Sequence, residues 1–407
     1  MASAAPPPLL TLTDELLEEI FLRLPTPTAL ALACIACSSF HRIITDRSFL
    51  RRFRALQPPP LLGFIDNEFH AAEAPHPSAP LACALARAAD FSYSFVPAGR
   101  WLTPWHPRDV RQGRVLLECF PENRLDYDDA WFPTNLDLAV CDPLYQLYVL
   151  LPPIPVELKS GYADLKGFEL FLAPTGEDEE ETSFKVVRTA WSTTGLVAFV
   201  FSSITAQWHI AASPSWRSLG TIIPSDAWSF SWFYYAWGCC YWTLSSRHKL
   251  LVLDMLRMEF SIVNFSLPSY VNPDNDRPRI VVDREGSPQL LFFGNYIKDG
   301  VADLFRIVET DGELSDKWQL ENIVPLPLTE WRTVCVALGT AGGFLFLQRI
   351  QMFSKSAECS SEESLDLGCF SLDVKTSELK KICGTAQPFF RAHLYFGFPP
   401  SLSKPCL

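Results

Sequence analysis

Along residues 12–24, apolar side chains return at Leu12, Leu16, Leu17, Ile20, Phe21 and Leu24, the spacing of one broad helical face. Asp14 and Glu15 fall in the first turn, where the helix dipole favours anions, and Pro25 forbids continuation. Thr26-Pro27 offers a cap and a proline at the first position of a second helix, with Leu30, Ala33, Cys34 and Cys37 turned inward. Asp46 is placed to cap a third helix carrying Phe49, Leu50, Phe53 and Leu56. Three short helices in about fifty residues lie near the lower size limit for independent folding. Their apolar faces exceed what three such helices can bury among themselves. The surplus predicts a helical partner.

After "QPPPLLGF" (57–64) the period changes. Runs such as "GRVLLECF", "DLAVCD", "YQLYVLLPP", "GLVAFVFSS", "KLLVLD", "QLLFFG" and "GFLFLQ" are rich in Val, Phe, Tyr and Leu and punctuated by Gly, Pro, Asn and Asp. No helix-length periodic segment of comparable strength intervenes, so an all-β domain is expected. A loose repeat runs through it: a strand ends at Asp, turns, and is followed by a strand ending in an apolar residue and Pro. The Asp anchors are Asp142, Asp254, Asp311 and Asp373, with a weaker copy starting at Ser213. Each copy reads as the outer hairpin of a four-stranded propeller blade. Five copies are visible, and a sixth blade follows if the strand at 61–70 pairs with "AHLYFGFPP" near the other end. A β-sandwich is the alternative.

The helical residues resemble the F-box motif, in the form common among plant F-box proteins. The resemblance covers residues 12–53 and rests on Leu12, Asp14, Leu16, Leu17, Ile20, the Leu24-Pro25 stop, Leu30, Phe40 and Phe49. Thr13 stands where that family usually has Pro, and Phe40 where it often has Trp. The β region resembles, with low specificity, the propeller-like and distantly kelch-like domains found behind plant F-boxes. The resemblance implies an α+β multidomain chain: a trihelical F-box at 9–57, a Pro-rich linker at 58–60, a five- or six-bladed β-propeller at 61–400, and a tail at 401–407. It implies a substrate-recognition subunit of a Skp–cullin–F-box ubiquitin ligase, itself non-catalytic. The Skp adaptor, and cullin through it, would be held by Leu12, Leu16, Leu17, Ile20, Leu24, Pro25 and Leu30, and an unidentified target protein by the β domain. A non-ligase F-box binding protein and a β-propeller hydrolase stay open as alternatives.

Composition narrows this further. A net charge of −12 argues against nucleic acid as a partner. The charge is uneven: residues 1–60 carry six Arg against five acids, so residues 61–407 carry −13, and the first Lys is Lys159. No apolar run reaches the roughly 18 residues of a membrane helix. "MASAAPPPLL" lacks the basic and apolar regions of a secretory signal. Twelve Cys without a zinc-spaced pair of pairs read as reduced thiols in the cytoplasm or nucleus. Seven His show no metal spacing, and no nucleophile elbow, zincin motif or phosphate loop occurs, so no catalytic residue, metal or cofactor is expected. Asp126, Asp128 and Asp129 beside Trp131 read as a solvated loop, not a glycosidase carboxylate pair. "WSFSWFYYAWGCCYW" (228–242) reads as a buried inner hairpin before it reads as a recognition surface.

Overall fold

The computed structural model describes residues 12–25, 27–57, 59–120, 136–162, 165–173, 182–220, 230–236, 238–244, 249–264, 276–282, 288–294, 301–310, 313–325, 333–351, 367–389, 392–398 and 405–407. The chain opens with four helices where the periodicity suggests three: α1 (Asp14–Leu22), α2 (Pro27–Ala36), α3 (Ser38–Ile44) and α4 (Arg47–Leu56). The stretch after Cys37 forms a helix of its own, because its apolar residues Ile43 and Ile44 point into the core shared by the other three. Asp46 caps α4 by accepting the Ser48 N–H at 2.8 Å, as expected.

Leu17, Phe21, Leu22, Leu30, Cys34, Ile43, Ile44, Phe49, Leu50 and Phe53 fill this helical core. Phe40 meets Phe21 edge-on, with ring centroids 5.0 Å apart. Arg42 reaches Asp14 at 2.6 Å, and Arg52 bridges Glu18 and Glu19, tying α3 and α4 to the outside of α1.

The β domain follows. After β1 (Leu61–Ile65), β2 (Phe69–Ala71) and a helix α5 (Ala79–Ala88), blade one comprises β3 (His106–Arg111), β4 (Arg114–Cys119), β5 (Asp137–Asp142) and β6 (Leu147–Leu151). A single turn, α6 (Val156–Lys159), leads to blade two: β7 (Lys166–Leu172), β8 (Lys185–Trp191), β9 (Leu196–Ser202) and β10 (Gln207–Ala212). Blade three holds β11 (Phe230–Ala236), β12 (Cys239–Leu244), β13 (Lys249–Asp254) and β14 (Glu259–Asn264). Blade four holds β15 (Asp276–Val282), β16 (Pro288–Gly294), β17 (Val301–Thr310) and β18 (Glu313–Pro325). Blade five holds β19 (Thr333–Ala341), β20 (Phe344–Gln351), β21 (Leu367–Asp373) and β22 (Leu379–Thr385). Last comes β23 (His393–Phe396).

Every blade is an antiparallel meander, and β2-β1-β23 form a three-stranded sheet from the two ends of the domain. The expected pairing of the 61–70 strand with the late segment is present: Leu61 faces Phe396 and Ile65 faces His393. β23 lies beside β3 and β19, β3 beside β7, and β15 beside β11 and β19. Phe171 of β7 meets Phe233 of β11 at 4.7 Å, completing the circuit. The result is a five-bladed propeller: the expected pairing forms, but its sheet has three strands where each blade has four, so it closes the ring and adds no sixth blade.

Central strands of the blades are buried along nearly their whole length for a physical reason. β4 is buried at all six positions and β8 and β9 at six of seven, because each blade is covered on both faces by its neighbours. Helix α5 corrects the expectation of a β domain without helices. Its Ala-rich sequence buries only Ala82 and Leu85, too narrow a stripe to stand out by periodicity.

The Asp repeat is a hydrogen-bonded turn. Asp142 Oδ1 accepts the N–H groups of Leu144 and Tyr145, Asp254 Oδ1 those of Leu256 and Arg257, and Asp373 Oδ1 those of Lys375 and Thr376. In each copy the fourth residue on, Gln146, Met258 or Ser377, takes a positive φ of 53°, 54° or 59°. The Asp311 copy joins β17 to β18, with residues 311–312 outside the described residues. The Ser213 copy is misplaced. It lies in the connection after β10, whereas the outer turn of blade two starts at Ser202 and keeps only the positive φ, 54° at Ala206.

Two junctions bear on the domain boundaries. Phe398, just after β23, packs into the helical core with its ring 6.1 Å from Phe53, and Gly397 N–H bonds the Pro60 carbonyl at 3.2 Å. The helical unit therefore docks at the end of the ring where β23 exits. Within the 401–407 tail, Cys406 is held against blade one: its N–H donates to Asp142 at 3.1 Å, and Arg114 Nε donates to its carbonyl at 2.8 Å.

Candidate adaptor-binding surface

On α1 a core face and a solvent face run side by side. Leu17 and Phe21 are each 4% exposed, while Leu16 is 52% and Ile20 40% exposed. Leu12 precedes them at the same four-residue spacing and is half-buried against the core, as is Leu24. Pro25 is exposed at the stop. Leu30 is completely buried, so of the seven residues expected to meet a partner, Leu17 and Leu30 build the unit instead of facing out from it. Residues three and four apart share a helix side. One nine-residue helix therefore cannot aim Leu16, Leu17, Ile20 and Phe21 the same way.

Helix α2 supplies what the sequence reading missed. Leu32 and Ile35, 62% and 72% exposed, sit one turn apart on its outer side, and Leu56 of α4 is exposed as well. The signal was present in "TALALACIA": a helix apolar around its whole circumference has more apolar surface than one core can cover. Five large apolar side chains thus face solvent on a unit of four short helices. Burial pushes the Cys34 thiol pKa upward, which keeps it protonated and structural.

The remaining candidates behave as packing. Trp242, from the aromatic run, is buried with Phe168, Phe171 and Phe233 around it at 5.4, 6.4 and 5.5 Å. That run forms the β11–β12 hairpin on the inner side of blade three. Asp126, Asp128, Asp129 and Trp131 lie outside the described residues. Among the described residues no three His, Cys, Asp or Glu side chains gather as a metal site requires. A buried charge cluster joins Arg108 of β3 to Glu118 of β4 at 3.7 Å and to Glu169 of β7 at 3.2 Å. It cross-links blades one and two, beside a second tie in which Asp109 accepts the Leu172 N–H at 2.7 Å.

Residues 9–52 match the F-box domain family. No curated protein matches the chain. Solved structures that resemble it include a fungal alcohol oxidase of the AA5 family in complex with copper, 11% identical over 72% of this chain and 69% of that one, with a TM-score of 0.34. TolB from Acinetobacter baumannii is 11% identical over 62% and 50%, with a TM-score of 0.31. AztD from Citrobacter koseri is 15% identical over 73% and 64%, also with a TM-score of 0.31. The chain thus joins an F-box domain at residues 9–52 to a five-bladed β-propeller-like domain.

Proposed function

We propose that this protein is the substrate-recognition subunit of a Skp–cullin–F-box ubiquitin ligase, acting in the cytoplasm or nucleus. In this reading Leu12, Leu16, Ile20, Leu24 and Pro25 of the α1 side meet the Skp adaptor together with Leu32 and Ile35 of α2. Leu17 and Leu30 act on that surface from beneath, by fixing the two helices that carry it. The observation that carries the reading is the exposed apolar set on α1 and α2, within residues that match the F-box domain. Covering such side chains is worth about 1.5–3 kcal/mol each, and solvent is a poor place to leave several together.

The propeller is the receptor for the target protein. The chain then contributes no chemical step of its own: it holds a target beside a ubiquitin-loaded conjugating enzyme, and its effect on rate is proximity and orientation. The Phe53–Phe398 contact and the Gly397–Pro60 hydrogen bond favour a fixed angle between handle and receptor. The pairing of modules is that of plant F-box proteins with propeller-like associated domains.

Co-expression of the full chain with a Skp adaptor and cullin, followed by purification on the chain, tests this. The reading expects all three to co-purify, and Ile35→Glu to release adaptor and cullin together. Adaptor capture with cullin consistently absent points to a binding protein outside the ligase. Turnover of a hydrolase substrate panel by the purified chain contradicts the receptor role.

A further inference from the structure

Fifteen large apolar side chains are exposed among the described residues. Five belong to the helical unit. Seven belong to blade one and its flanks, among them Tyr145, Leu147, Tyr148 and Leu150. The last three lie on β6, the outermost strand of blade one, which among the described residues pairs with β5 alone.

Outer strands of the other blades interrupt their apolar residues with polar or charged ones. β10 has Gln207 and His209, β14 has Glu259, β18 has Asp316 and Lys317, and β22 has Lys380 and Lys381. Charged side chains, and register breaks such as that between Ile210 and Ala212 of β10, are what natural sheets use to keep an open edge from pairing. β6 reads Leu-Tyr-Val-Leu-Leu, with no charge, no proline and no register break against β5. Among the described residues, four outer edges thus carry such protection and β6 carries none.

We propose that the β6 edge is a docking site for an extended segment of a partner protein, which adds to blade one as a fifth strand. Backbone groups on the open side of β6 dictate the kind of occupant. A helix or a folded face laid over these side chains would strip water from unpaired N–H and C=O groups without replacing it, whereas a strand satisfies them. Side chains exposed on β6 ask for apolar, β-branched or aromatic residues opposite them. The −13 charge of residues 61–407 favours Lys or Arg flanking that apolar core. A second copy of this chain fits less well: about 17 Å of edge covers less than the ~800 Å² per partner of a stable interface. The inference rests on the reading of the propeller as target receptor, and supplies the surface and the chemistry of the target segment.

The test uses the full chain in complex with its Skp adaptor. Random peptides of about twelve residues are displayed and selected on it, and selected peptides are resynthesised for affinity measurement. The expected peptides share an apolar, β-prone core with basic flanks. Their affinity should fall roughly tenfold or more on Tyr148→Lys with Leu150→Lys. A similar loss should follow when alternate backbone amides of the peptide are N-methylated. Both substituted positions are exposed, and an unchanged thermal melt with retained adaptor confirms an intact fold. Peptides that bind wild type and double variant equally, tolerate N-methylation, or never enrich overturn the proposal while adaptor capture leaves the ligase reading standing. A dimer in solution that the double variant abolishes assigns the edge to a second copy and equally overturns it. Loss of adaptor in the wild-type sample marks failure of the ligase reading instead.

Discussion

Arg108 illustrates how much single residues carry in this ring. Its guanidinium stands between Glu118 and Glu169, all three side chains nearly closed to solvent, so two carboxylates share one cation and the cluster ties three strands together. Replacing it by Met takes the Arg108 cation away from both buried acids, and we expect a loss of about 3–5 kcal/mol. Denaturant unfolding of the full chain checks this. Glu169→Gln, which keeps volume and leaves Arg108 beside Glu118, should cost clearly less; equal costs would mean that the cluster is not electrostatic. In the helical unit the same scale separates support from contact. Leu17→Ala and Leu30→Ala hollow the core and should destabilise the unit by roughly 2–5 kcal/mol. Leu32→Ala and Ile35→Ala remove exposed groups and should leave its melting unchanged.

Among the elements, three partly buried histidines on the closing sheet and beside it make the fold pH-sensitive. His70 of β2 meets Phe389 at 4.7 Å with the rings tilted, and His106 at the start of β3 stacks on Phe120 at 4.9 Å. His76, before α5, accepts the Ser78 N–H through Nδ1 at 3.2 Å. Burial holds all three imidazoles below their ordinary pKa of 6.5. Asp66 and Glu68 oppose this at His70, Glu118 and Asp66 oppose it at His106, and Lys380 adds to it at His76. An imidazole that binds its proton more weakly when folded stabilises the fold above its unfolded pKa, and that stability is lost as pH falls below it. The melting temperature should therefore drop between about pH 7.5 and about pH 5.5, and His70→Phe with His106→Phe should flatten the drop. An unchanged slope in that variant would place the sensitivity elsewhere.

What the sequence made legible follows from the same element physics. The Asp turns at 142, 254 and 373 could be read because a short acceptor at a strand end has one efficient use, and blade two escaped because Ser202 replaces that acceptor. α5 escaped because alanines hide its face, and the exposure of Leu32 and Ile35 escaped because apolar spacing alone does not tell a core from a partner. Pairing of β1 with β23 was readable only as a condition of closure. No local signal spans the more than three hundred residues between Leu61 and Phe396.

At the scale of the molecule, the handle and the ring meet through Phe398, and the lysines lie on one side of that junction. The helical unit has none, while Lys380 and Lys381 are exposed on the outer strand of blade five. If the ligase assembles on this chain and modifies it, lysine-linked ubiquitin should map by mass spectrometry to residues 159 onward, and Arg substitution of every Lys should abolish it. The central claim is that α1 and α2 present their exposed apolar residues to a Skp adaptor. It is tested most directly by the dissociation constant between the purified full chain and the adaptor, for wild type, Leu16→Glu and Ile35→Glu, each with its thermal melt. The account predicts tight capture by wild type and losses of roughly a hundredfold or more in both variants, since each buries a charge in place of an apolar contact. The melts should not change. Equal affinity across the three proteins, or a wild-type chain with Thr13 and Phe40 that captures no Skp adaptor at all, would contradict it.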